Sequence, residues 1–293
     1  MNRCMRRKLA WNAKLGVVTH PSGEQYIELP RAICNPSGIP NKGQKSYATK
    51  WLENRYKDLV ANHLPVGWIP ESVILEGMFM INVSPLGSHH TMKEYTQFLL
   101  RRYALPHFVK SAKEVHIIFD NPDRQLLSPK SFERRHRDDA GTLASDHHHA
   151  HFCDDSEIPQ KWRDHLQCRE CKRNLVEHLG KSIMQHAPNI FRGDQKVVLA
   201  GCFTGDARDQ AWELSATNAQ PNPLLNCSAE EADTRIWLHV RQSCRTRKLV
   251  CSPDTDVFHV SLPIVSTQHD VYVRISTLTT PDARPDLAST PTS

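Results

Sequence analysis

Apolar positions along the chain alternate between a helical spacing of three and four and short unbroken runs. Leu52, Tyr56, Leu59, Val60 and Leu64 share one face of a segment that Pro65 stops, which predicts a helix over 47–64. Ser72 to Asn82 is almost wholly apolar and predicts a strand. Thr91 and Glu94 form a capping-box pair, opening a helix whose Met92, Tyr95, Phe98, Leu99 and Tyr103 make one stripe up to Leu105 and Pro106. Val115 to Phe119 is a short apolar run closed by Asp120, Asn121 and Pro122, as in a buried parallel strand that opens into a loop. A helical pattern resumes over Pro159 to Met184 through Trp162, Leu166, Leu175, Val176, Leu179 and Ile183, and Lys196 to Phe203 predicts another strand. Ser228 and Glu231 form a second capping-box pair, before a helix with Ala232, Ile236, Trp237 and Val240 on its inner face. Lys248 to Cys251 predicts a strand running into Ser252, Pro253, Asp254, Thr255 and Asp256, and Val271 to Ile275 predicts one more. Strands that alternate with helices in this way argue an α/β fold, with a mostly parallel central sheet and helices on both faces.

The remaining segments divide the chain. Residues 16–47, rich in Pro, Gly, Ser and Asn, read as an extended N-terminal arm, so that 1–70 forms a basic arm and helix. Residues 71–277 form the α/β domain, with a polar and helical insertion at about 121–195, and 278–293 reads as a disordered tail. In 293 residues with 39% hydrophobic and 24% charged content there is length for a substantial core. No window of about 18 uninterrupted apolar residues occurs, which excludes a helical membrane span. The net charge of +5 is concentrated at the front, where residues 1–70 hold eleven Lys and Arg against four Asp and Glu. That asymmetry suits a polyanionic partner. Nine cysteines lack a framework spacing and the basic start lacks the apolar stretch of a secretory leader, so a reducing intracellular compartment is expected, nuclear or cytoplasmic. The basic, acid-free start, Met1 to Leu15, also fits a mitochondrial transit segment, but short basic starts are common and this location is the less expected one.

Carboxylates fall where predicted strands end and one helix begins. Glu76 interrupts the first strand, Asp120 closes the second, Glu231 and Asp233 occupy a helix start, and Asp254 and Asp256 follow a later strand. The carboxyl edge of a parallel sheet is where ligands bind. Acids that converge there repel one another unless cations neutralise them. Mg²⁺ or Mn²⁺ fits such an oxygen-rich site, and two such ions about 4 Å apart stabilise both the attacking and the leaving oxygen of a phosphodiester. Each acid also has a local role to fill: Glu230, Glu231 and Asp233 suit any helix N-terminus, and Asp120, Asp254 and Asp256 suit strand-to-turn exits.

Two segments carry a family resemblance. VHIIFDNPDRQLLSPKSFERR, from Val115 to Arg135, resembles the strand, acid and basic cluster of flap endonuclease-like nucleases in the PIN-type superfamily. EEADTRIWLHVRQSCRTRKLVCSPDTDV, from Glu230 to Val257, resembles that family's paired acids at a helix start, basic turn, strand and closing D-x-D. The resemblance covers about 71–262. It implies a PIN-like α/β fold and metal-dependent hydrolysis of nucleic acid, with DNA the expected form. It also implies Asp120, Asp254 and Asp256 as catalytic residues and Glu76, Asp120, Glu231, Asp233, Asp254 and Asp256 as metal ligands, Glu76 standing where the family has Asp. Lys130, Arg134, Arg135, Arg137, Arg241, Arg245, Arg247 and Lys248 are the implied nucleic-acid contacts. A catalytically inactive PIN-like module that binds nucleic acid or protein is the alternative, with a zinc-stabilised interaction protein as a third reading.

That third reading rests on Cys168 and Cys171, a C-x-x-C downstream of His147, His148, His149, His151 and Cys153. The spacing to the upstream group argues against zinc. Both cysteines fall inside the predicted helix over 159–184, where residues three apart serve as small core side chains. A C-x-x-C within a helix, not opening one after a strand, argues against a redox dithiol.

Overall fold

Alternate Val, Ile and Leu side chains on short strands build a core on both faces of one sheet. The computed structural model describes residues 45–57, 60, 61, 63–84, 87, 89–121, 151–261 and 270–275. The chain divides into two units, residues 1–62 and 63–293. In the first, the described helix is α1 (Lys45–Arg55), shorter than the 47–64 expected because the charged run from Glu53 to Asp58 dilutes its apolar face. The arm over 16–44, residues 122–150 and the tail lie outside the described residues.

The second unit holds a seven-stranded sheet. Its strands are β1 (Ser72–Glu76), β2 (Glu114–Ile118), β3 (Lys196–Ala200), β4 (Ala211–Leu214), β5 (Ala219–Pro221), β6 (Arg247–Cys251) and β7 (Asp270–Arg274), in the order β5-β4-β3-β2-β1-β6-β7. Five strands are parallel, and β4 and β5 extend the β3 edge antiparallel. The α/β class and mostly parallel sheet expected from the pattern are therefore present. From β1 the chain moves outward to β2 and β3, then returns to place β6 on the other side of β1. The order reverses between β1 and β6, and a crevice opens at such a switch point outside the carboxyl ends of the strands.

Strand parity sorts the core. Val73, Leu75, Val115, Ile117, Val197, Leu199 and Leu249 face one layer. That layer contains α2 (Gly77–Val83), α3 (Met92–Leu99), α4 (Leu105–Val109) and α6 (Arg169–His186). Ile74, Ile118 and Val250 face the other, against Ile236, Trp237 and Val240 of α7 (Ala232–Gln242) and Val257 of α8 (Thr255–Ser261).

Several expected boundaries move. The run over 72–82 is a strand only to Glu76, and Gly77 to Val83 is α2; Gly77 to Ile81 are all buried, so no polar position reveals the change of period. The capping box at Thr91 and Glu94 forms as expected, and a π-helical segment, Leu100–Ala104, links α3 to α4. The helix expected over 159–184 is two, α5 (Trp162–Gln167) and α6, with Cys168 as the N-cap of α6.

Candidate metal centre

Parity also builds the site. Glu76, Asp120 and Ser252 each lie two residues beyond Ile74, Ile118 and Val250, so they continue the face that α7 covers, at its carboxyl edge. Phe119 fixes the end of β2 through two glycines. A Cβ on Gly77 would strike its ring, and one on Gly201, whose φ is +77°, would strike its carbonyl oxygen. Only glycine fits at either position, and the close approach sets where Asp120 leaves the sheet.

Asn121 brings the α7 N-terminus to that point. Its N–H donates to the Glu230 carbonyl oxygen at 2.7 Å and its Nδ2 to the Arg208 carbonyl oxygen at 3.2 Å. Asp120 Oδ1 then accepts from the Ala232 N–H at 2.8 Å, capping a helix 112 residues downstream. The expected Ser228–Glu231 capping box does not form: Glu231 is the N-cap residue and its side chain makes no cap hydrogen bond. A carboxylate from the neighbouring strand satisfies the donor instead.

Across the crevice, Ser252 donates from Oγ to Glu76 Oε2, and the Asp254 N–H donates to Ser252 Oγ at 3.1 Å. Asp254 Oδ1 accepts from the Asp256 N–H at 2.9 Å, ordering the first turn of α8. Burial pushes the Glu76 carboxyl up to about 7, against the lowering effect of the Ser252 bond, and Asp120, Asp233 and Asp254 push in the same direction as burial. The acids are thus close enough to act on one another. Among the described residues, Asp233, Asp254 and Asp256 form the group able to hold a metal ion, each offering a carboxylate oxygen within 4.8 Å of the others. Such all-oxygen donors match hard divalent cations in kind.

One buried residue at this edge has no counterpart in the sequence reading. Arg235 is fully buried on α7, its Nε donating to the Ala229 carbonyl oxygen at 2.7 Å, with Asp209 Oδ1 3.9 Å from its Nη2. Burial lowers its pKa, while Asp209 and Asp120 favour the charged form. Its place beside Ile236 in the inner stripe is the sequence signal that a cation lies under the helix.

The basic cluster after α7 lies at the opposite edge, where β6 begins. Lys248 is 0% exposed, and its Nζ donates to the carbonyl oxygens of Val240 at 2.6 Å and Ser243 at 2.8 Å, capping the C-terminus of α7. Arg245 Nε donates to Glu114 Oε1 at 3.1 Å, Arg247 lies 3.6 Å from Glu71, and Arg241 is exposed. This group is not brought to the acids, and Lys248 has no surface from which to reach a phosphate. Lys130, Arg134, Arg135, Arg137, His147, His148 and His149 lie outside the described residues.

Comparison with protein-family models, with curated proteins and with solved structures finds no match for this chain.

Proposed function

We propose that the acidic edge is the divalent-cation site of a PIN-like, flap endonuclease-like hydrolase acting on nucleic-acid phosphodiesters, with DNA the expected substrate. The observation that carries this reading is the meeting of acids from four separate segments at the switch point of the sheet, where Asp120, Asp233 and Asp254 each raise the charge cost of Glu76. Asp233, Asp254 and Asp256 would hold Mg²⁺ or Mn²⁺. A bound ion of that kind supplies a positive charge to the phosphoryl oxygens as negative charge builds on them. Asp120 orients the N-terminus of α7 and with it Asp233. Glu76, a half-buried carboxylate beside these acids and bonded to Ser252, is suited to take the proton that an attacking water gives up. Phosphate contacts are assigned to Lys130, Arg134, Arg135 and Arg137, which follow Asp120 in sequence.

A second reading, a non-catalytic nucleic-acid or protein-binding module, is favoured by the partners the acids already have: Asp120 caps α7, Asp254 orders α8 and Glu76 binds Ser252. Incubation with branched and single-stranded DNA in Mn²⁺, beside the Asp254→Ala, Asp256→Ala double variant, separates the two. Cleavage by the wild-type chain that is lost in the variant supports the hydrolase. Binding without cleavage by either chain supports the module, and equal nicking by both removes the acids from the chemistry.

A further inference from the structure

The C-x-x-C does open a helix. Cys168 is the N-cap of α6, the longest described helix, and Cys171 is three residues on, in its first turn. The Cys171 N–H donates to Cys168 Sγ at 3.5 Å, within range for sulfur, and Cys168 is near enough to push the Cys171 thiol up. Cys171 is buried, whereas Cys168 is partly exposed. Residues three apart on a helix are neighbours, with Cα atoms within the roughly 4.4–6.8 Å that a disulfide spans. We infer that Cys168 and Cys171 form a redox-active dithiol that closes into an intrachain disulfide by exchange with a small-molecule disulfide.

The asymmetry of the pair assigns the roles. Cys168 is the sulfur an external disulfide can reach, and it sits where backbone N–H groups gather at a helix start. Burial, and then the neighbouring Cys168, push the Cys171 thiol up to about 12, so Cys171 holds its proton and acts second. In the exchange, the Cys168 thiolate attacks one sulfur of glutathione disulfide, forming a mixed disulfide and releasing one glutathione thiolate. Cys171 then gives up its proton and attacks Cys168 Sγ, and the second glutathione thiolate leaves. Two protein thiols are oxidised by two electrons, one external disulfide is reduced to two thiols, and the two protons lost by the protein match the two gained by glutathione. Forming the mixed disulfide removes the sulfur charge on Cys168 that opposed ionisation of Cys171, which helps the second step.

The other described cysteines lack this arrangement. Cys202 and Cys251 are buried, and burial pushes their thiols up to about 12 and about 11. Cys244 is exposed and serves as the internal reference for non-specific oxidation; Cys153 is exposed too, but the Ser156 hydroxyl at its sulfur holds its thiol below the usual range, so it is no reference.

The full chain is equilibrated with glutathione and glutathione disulfide at increasing oxidising strength, alkylated, and digested with trypsin. Cleavage after Arg169 separates the two cysteines, so the disulfide joins peptide 164–169 to peptide 170–172. The expected result is loss of alkylation at both cysteines together, with the joined peptides appearing before Cys244 is modified. Cys171→Ser should trap glutathione on Cys168 in several-fold excess over what Cys168→Ser traps on Cys171. Serine is itself a favoured N-cap, so Cys168→Ser keeps the start of α6, and mapping the disulfide in the wild-type chain needs no variant. Alkylation of both cysteines persisting after Cys244 has oxidised would overturn the inference. So would one zinc per chain that blocks oxidation and is lost in either variant.

Discussion

Helix α7 crosses the sheet with opposite electrostatic problems at its two ends. At its C-terminus, Glu114 is buried at the start of β2 but accepts from His116 Nε2 at 3.3 Å, Ser243 Oγ at 2.8 Å and Arg245 Nε at 3.1 Å, with Lys196 Nζ 3.5 Å away. Those partners outweigh burial and hold its carboxyl far below the usual range. At the N-terminus, the strongest charges acting on Glu76 are other carboxylates, and its pKa moves the other way. Similar side chains on neighbouring strands thus differ because one end of the helix carries its own cations. The helix dipole favours the arrangement at both ends, with anions at the start of α7 and the Lys248 ammonium at its close.

The largest test of this contrast is Glu114→Ala. Removing one member of a buried, hydrogen-bonded charge group should cost about 3–5 kcal/mol, read as a lower urea midpoint with an unchanged slope. Lys248→Ala comes next, at about 2–3 kcal/mol, because two carbonyl groups at the end of α7 lose a charged donor. If Lys248 instead served nucleic acid, stability would hold and binding would fall.

The pH profile should carry opposite slopes from the two ends. Glu114 is depressed, so its contribution is present above the unfolded carboxylate pKa and is lost as pH falls below it. His239, buried with its Nδ1 2.9 Å from His116 Nδ1, is held well below the ordinary histidine value by burial, so protonation in the unfolded chain removes stability as pH falls below about 6.5. Glu76 is raised, so its contribution is full below the unfolded value and is lost as pH rises toward about 7. Glu76→Gln should flatten the loss between about pH 4.3 and pH 7, leaving the acid limb unchanged. A flattened acid limb would assign the titration to the wrong end. The smallest effect is expected for Asp254→Asn, within about 0.5 kcal/mol without added metal, since Asn keeps the acceptor for the Asp256 N–H while relieving repulsion.

Much of this was legible in the chain. β2, β3, β6 and β7 appear as apolar runs near their observed bounds, and the acids stand at their ends because a buried strand must surrender its period where it meets water. Signals that depend on partners distant in sequence were not legible. Nothing local distinguishes Asp120 as the cap of a helix 112 residues away from an ordinary turn acid. β5 escapes notice because Ala219, Gln220 and Pro221 are exposed and show no apolar alternation, and β4 because its four residues place half-buried Trp212 and Glu213 between buried ends, too short a run to show a period. Arg245 and Lys248 read as a surface cluster because charge in sequence carries no direction, and Glu114 supplies a partner that spacing cannot reveal. The break at Cys168 is hidden because the apolar spacing runs on through it.

The most direct measurement is the thermal midpoint of the wild-type chain and of the Asp233→Asn, Asp254→Asn double variant during titration with Mn²⁺. A cation held by the folded state alone stabilises it by about 2.7 kcal/mol at a hundredfold excess over Kd. The wild-type midpoint should rise and saturate while that of the variant stays flat. Identical responses in the two chains would contradict the acidic edge as a cation site.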